Sequence, residues 1–289
     1  MEAEKSNETK VIEKAPDRLK ILERIDEYEK KGWFSKDVED DPPTIPLTVD
    51  KADYLNKKLI NKILTYFVNK KAVKFIDQLI ENKQMIVKEI RGIENFTALA
   101  NKGTIITCNH FNAFDNFCIH HAILPYLKSE GRELYKVIRE GNYTSFPGLY
   151  GLFFRHCNTL PLASNFSVMK LFMEAVKVLL GRGEKILVYA EQGMWWNYRK
   201  PRPLTVGAFK FAVENNAPVL PMFITMEDSD IIGGDGFPIQ EYTLHILPAI
   251  YADPAKSNKE NIEEMRNKNY EMWKKVYEDF YKIPLTYLS

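Results

Sequence analysis

The chain has 289 residues, a hydrophobic fraction of 45%, a charged fraction of 27% and a formal net charge of +1, the profile of a folded protein holding one large domain or a domain with an appendage. A charge so near zero creates no global field for nucleic acid, so no nucleic-acid partner is expected. Its three cysteines, Cys108, Cys118 and Cys157, lack metal-type spacing, and an odd number argues against a disulfide framework and for a reducing compartment.

The opening MEAEKSNETKVIEK is polar and charged, with no basic stretch followed by an apolar one. No signal peptide is expected, and residues 1–16 read as a disordered start. No uncharged apolar run reaches the roughly 18 residues of a membrane-spanning helix. Arg18 to Lys31 reads as a helix, which the consecutive prolines of DDPPTIP then break.

Charge shifts sharply next. Residues 1–50 carry 14 acids and 9 bases, whereas residues 51–74 carry seven lysines and one acid. In the latter segment Leu55, Leu59, Ile60, Ile63, Leu64 and Phe67 recur at helical spacing, with Lys57, Lys58, Lys62, Lys70, Lys71 and Lys74 around them. Such a helix suits an anionic membrane surface, where each lysine adds about 1 kcal/mol of attraction. The same pattern also fits a surface helix whose apolar stripe covers a core, and both readings stand at this point. Residues 17–82 are thus expected to form a helical appendage and a candidate membrane contact.

From residue 83 to 289 the texture is that of an α/β domain. The runs QMIVKEI, GTIITCN, LYKVI, KILVYA, APVLPMFIT and YTLHILPAI read as strands, and 114–128, 166–181, 205–216 and 256–281 as helices. Short buried strands separated by helices predict a mixed, mostly parallel sheet covered by helices. The stretch from Gly141 to Met169 has one charge, Arg155, and many aromatics. Core packing, an apolar tunnel and an interfacial surface all fit it.

TCNHFNAFDNF holds the first chemical signal. His110 and Asp115 are five residues apart, about 140° apart on a helix, so they meet only if the chain turns between them. A strand GTIITCNH running into a loop, followed by a helix from FDNF, supplies that turn at a strand's carboxyl end, where open α/β sheets place ligands. An aspartate on one ring nitrogen fixes the tautomer and raises the basicity of the other, giving a base for a hydroxyl. A helix start explains the same residues, with Asn112 as N-cap and Asp115 at the third helical position. The second signal follows KILVYA: Glu191 and Gly193, then Arg199, Lys200, Arg202 and Lys210, then VGAFKFA opening a helix. No metal signature, G-x-S-x-G elbow or phosphate-binding G-x-x-x-x-G-K-[ST] is present.

Together these blocks resemble the glycerolipid acyltransferases, which acylate lysophosphatidic acid, glycerol phosphate and related acceptors. Asn109, His110 and Asp115 match the family's N-H-x4-D in full. YAEQGMW is similar to its F-P-E-G-T-R, with Glu191 at the acid, and TVGAFKFA and APVLPM are similar to the elements that follow. VIREGNYTSFPGLYG is similar to the intervening A-K-x-E-L and P-x-x-G. The ordered set spans roughly residues 85–250. It departs from the family at Ser164 and Met194, where two arginines that hold the acceptor's phosphate are usual, and at Asn112, where serine is usual.

The resemblance implies the family's α/β fold and O-acyl transfer from a thioester to a lysoglycerolipid hydroxyl, above all 1-acylglycerol-3-phosphate, in phospholipid biosynthesis. No bound cofactor or metal is implied; acyl-CoA or an acyl-carrier protein is the co-substrate. His110 and Asp115 are the implied catalytic pair, and Asn109, Asn112, Arg139, Arg155, Glu191, Gly193, Arg199, Lys200 and Arg202 the implied substrate-binding set. The implied location is cytoplasmic and peripheral, on the inner face of a membrane, with a lysolipid and the anionic surface as partners. Two alternatives compete: a non-catalytic lipid-binding membrane protein of the same fold, and an acyl-thioester hydrolase.

Overall fold

The structure, a computed structural model, describes residues 13–40 and 43–289. Of the start expected to be disordered, residues 1–12 lie outside the described residues. Helix α1 (Pro16–Lys30) opens on a proline, whose fixed φ suits a first helical turn. Helix α2 (Leu59–Glu81) follows, and then strand β1 (Ile86–Arg91) and the short α3 (Ile93–Thr97). Next come β2 (Thr104–Thr107), α4 (Phe114–Ser129), β3 (Leu134–Arg139), α5 (Glu140–Thr144), α6 (Gly148–His156) and β4 (Thr159–Leu162). The chain closes with α7 (Phe166–Gly181), β5 (Lys185–Val188), α8 (Gly207–Glu214), β6 (Val219–Ile232), β7 (Pro238–Ile246) and α9 (Asn258–Tyr281).

The strands form one seven-stranded sheet in the order β1-β7-β6-β2-β5-β3-β4. Only β6 and β7 run antiparallel among these neighbours, so the sheet is mixed and mostly parallel. Consecutive central residues point to opposite faces, as strand geometry requires. Ile105, Ile186 and Val219 enter one core with Phe172 and Val176 of α7, Phe209 of α8 and Trp273 of α9. Ile106, Leu187 and Leu220 enter the other with Leu79 of α2, Phe96 of α3 and Ile123 of α4. Burial on both faces explains why these strands read as continuous apolar runs.

Three features differ from the sequence expectation. The 140–156 region folds as α5 and α6 and leads into an additional edge strand, β4; its three glycines and Pro147 hide helical periodicity. Strand β6 continues past Thr225 to Ile232, paired with β7 through a bulge between Asp228 and Ile232. Beyond Met226 it is largely exposed, so the apolar run marks only its buried half. Helix α2 starts at Leu59 and buries Val68, Ile76 and Leu79, while its first turns leave Leu59 73%, Ile60 65% and Phe67 63% exposed. Among the described residues, no helix is long and apolar enough to cross a membrane.

Candidate active site

Sheet register brings the two sequence blocks together. Thr107, the last residue of β2, is paired with Val188, the last of β5. The chain then runs three residues to His110 on one strand and three to Glu191 on the other, both at carboxyl ends. Asn109 anchors the exit of β2. Its side-chain oxygen accepts from Ile224 N–H (2.8 Å) and its amide donates to Ile224 O (3.0 Å), so a side chain continues the ladder to β6.

The loop from 108 to 113 makes the turn that the five-residue spacing demands. His110 Nδ1 lies 2.7 Å from Asp115 Oδ2. The same oxygen accepts from Phe111 N–H at 3.1 Å and from Asn112 N–H at 3.4 Å. Asp115 Oδ1 accepts from Asn116 N–H (2.6 Å) and from the Tyr189 hydroxyl (2.5 Å). This set of donors lets a fully buried carboxylate exist there. The imidazole is 21% exposed, and with Nδ1 held by Asp115 its Nε2 is the nitrogen left to exchange a proton.

The helix start departs in detail from the expected one. Ala113, not Asn112, is the N-cap of α4. Asn112 Oδ1 still accepts from Phe114 N–H (2.7 Å), and its amide donates to Asn197 Oδ1 (2.9 Å) and the Tyr242 hydroxyl (3.1 Å). Asp115 turns back onto the loop instead of closing a capping box, so one segment both opens a helix and holds the His–Asp pair.

Glu191, Gly193 and Arg202 form a second, buried layer under the loop. Glu191 Oε2 accepts from His110 N–H (3.0 Å) and from Arg202 Nη2 (2.8 Å), while Oε1 accepts from Arg202 N–H (2.7 Å). Arg202 Nη2 also donates to His110 O (3.2 Å) and to Gly193 O, and Nη1 to Phe34 O (2.8 Å). The ion pair therefore holds both the N–H and the C=O of His110. Gly193 lets the segment before α2 approach: a Cβ there would lie 2.7 Å from Lys36 O. Backbone N–H groups of these loops, natural candidates for an oxyanion site, are engaged at His110, Phe111, Gly193, Met194 and Trp195.

The remaining basic residues expected at the site hold partners outside the His–Asp pair. Arg139 binds Asp37, Arg199 binds Asp228 (2.6 Å), and Lys200 binds Glu29 (2.6 Å). Arg155 donates to Phe146 O (3.1 Å) beside α6. At the two positions where arginine was expected, Ser164 donates to Glu140 (3.0 Å), and Met194 N–H donates to Asp37 (3.0 Å). Tyr189, Tyr242 and Asn197 belong to the site and escaped the sequence reading. The signal available for Tyr189 was its place at the head of YAEQGMW. Burial pushes the Cys108 thiol well above its ordinary pKa, reinforced by the Asp115 charge, so it stays an uncharged core group.

Residues 87–225 match a family model described as Acyltransferase. The chain also shares its fold with the solved structure of the 1-acyl-sn-glycerophosphate (LPA) acyltransferase PlsC from Thermotoga maritima. That likeness has 18% sequence identity and a TM-score of 0.53, and covers 93% of this chain and 97% of that one. No curated protein matches the chain in sequence.

Proposed function

We propose, from the premise that residues 87–225 make this chain a member of the acyltransferase family, that it moves a fatty acyl group from a thioester to the free hydroxyl of a lysoglycerolipid. The donor is acyl-CoA or an acyl-carrier protein. The first acceptor to consider is 1-acylglycerol-3-phosphate, the substrate named for the Thermotoga maritima protein of like fold. The observation that carries this reading is the 2.7 Å bond between His110 and a fully buried Asp115 at a strand's carboxyl end.

In this mechanism Asp115 keeps the proton of the imidazole on Nδ1, so Nε2 takes the proton of the acceptor hydroxyl. The hydroxyl oxygen bonds to the thioester carbonyl carbon, and the tetrahedral intermediate collapses by breaking the C–S bond. The thiolate leaves readily, since a thiol has a pKa near 8.5, and it recovers the proton from His110. Base catalysis of this kind contributes about 10²–10⁴-fold.

A lysolipid acceptor resides in a bilayer, and the first turns of α2 fit that surface. Leu59, Ile60, Ile63, Tyr66 and Phe67 are exposed there beside Lys57, Lys58, Lys62, Lys70 and Lys71. A large exposed apolar patch rimmed by lysines suits an anionic interface and supports the reading of a protein peripheral on the cytoplasmic face of a membrane. Flotation with phosphatidylglycerol liposomes should be lost when these lysines are neutralised; unchanged flotation would rule the contact out.

The activity test is thiol release from palmitoyl-CoA with and without 1-acylglycerol-3-phosphate. Release that depends on the acceptor supports transfer. Equal release in both makes the chain a thioester hydrolase, and no release with any thioester or lysolipid would favour a non-catalytic lipid binder.

A further inference from the structure

Tyr189 follows β5 directly, and the Thr107–Val188 register sets it beside the His110 loop. Its ring lies almost parallel to the imidazole, with centroids 3.8 Å apart and planes 15° apart. Its hydroxyl donates to Asp115 Oδ1, the oxygen that His110 does not use. One side chain thus touches both members of the pair, each through a different part.

We propose that Tyr189 is a positioning residue that tunes His110 through two opposed contacts, the hydroxyl on Asp115 and the ring face on the imidazole. The proposal rests on reading His110 as the base. The hydroxyl draws negative charge from Asp115 and weakens its pull on the imidazole proton, which lowers the basicity of His110. The π-face attracts the imidazolium and raises it. Stacking also restrains rotation of the ring, so Nε2 keeps one direction.

The other groups around the loop leave Tyr189 as an adjustable contact. Glu191 is neutralised by Arg202 beneath the His110 backbone. Cys108 and Cys118 are buried thiols, and the Tyr242 hydroxyl reaches the loop only through Asn112. Burial, together with the Asp115 charge, holds the Tyr189 hydroxyl protonated, so it donates throughout the working pH range.

The test is an NMR titration of the His110 ring in wild type, Tyr189→Phe and Tyr189→Leu, with the resonance assigned by its loss in His110→Gln. Removing the hydroxyl alone should raise the His110 midpoint by roughly half a unit to one unit. Removing the ring as well should bring it back below the Tyr189→Phe value, with the acid limb of kcat/KM following the same order. A Tyr189→Phe midpoint within about 0.2 unit of wild type, or below it, would overturn the proposal. The titration needs no turnover. Midpoints that move as stated in a protein transferring no acyl group would uphold the role of Tyr189 while removing the proposed function.

Discussion

Replacing Arg202 by methionine tests whether the buried ion pair supports the site. The arginine is fully buried and Glu191 is 1% exposed. The substitution removes the 2.8 Å contact to Glu191 and leaves Phe34 O, His110 O and Gly193 O without this donor. Removing one partner of a buried pair costs about 3–5 kcal/mol, against a total stability of about 5–15 kcal/mol for a typical domain. With a urea slope of about 1–3 kcal/mol/M, the unfolding midpoint should fall by about 1 M or more. Tryptophan fluorescence is a suitable probe, because the Trp195 ring lies 4.9 Å from the Arg202 guanidinium. Adding Glu191→Gln removes the stranded charge, so the double variant should lose at least about 1 kcal/mol less than the sum of the singles. Activity should fall with Arg202→Met even in the absence of urea, since His110 loses a restraint on its carbonyl. A stability loss under about 1 kcal/mol, or strict additivity in the cycle, would refute the reasoning.

Gly193→Ala should cost about 1–3 kcal/mol by overpacking, because the new Cβ meets the Lys36 backbone at 2.7 Å and 2.8 Å and backbone yields poorly; thermal unfolding measures it. Asp115→Asn should lower the rate of thiol release by about 10²–10⁴-fold, since the amide no longer holds the imidazole proton on Nδ1, with circular dichroism checking the fold. His245 is held neutral by burial and, secondarily, by the Arg91 charge, with its pKa pushed down to about 4 from 6.5. Between those values the unfolded chain binds a proton there that the folded chain does not, so stability falls as pH drops from 6.5 towards 4. His245→Gln should flatten that slope in urea titrations between the two pH values.

The His–Asp pair was legible because a five-residue spacing at the end of an apolar run makes sense only with a turn. The strands of the central sheet were legible because burial on both faces leaves runs such as TIIT and KILV. What remained hidden depends on contacts between distant segments. Nothing local to Glu191 and Arg202 says that their ion pair clamps both peptide groups of His110. The contribution of Tyr189 follows from the pairing of β2 with β5, which fixes neighbours that a single strand cannot declare. Helices α5 and α6 are short, and their glycines, with Pro147 between them, blur the period that marks longer helices. In α2 the apolar spacing was correct, yet spacing alone does not tell a core-facing stripe from an exposed one. The 33–40 segment shows no periodicity, although it lays Phe34, Lys36 and Asp37 against Arg202, Trp195 and Arg139.

The central claim is that His110 is the base of acyl transfer. The direct measurement is acceptor-dependent thiol release from palmitoyl-CoA by wild type and by His110→Ala, with circular dichroism confirming that the variant is folded. A fall of about 10²-fold or more is expected in the variant. Release at the wild-type rate by a folded His110→Ala protein would contradict it, leaving the Asn112–Asp115 segment as no more than the start of a helix.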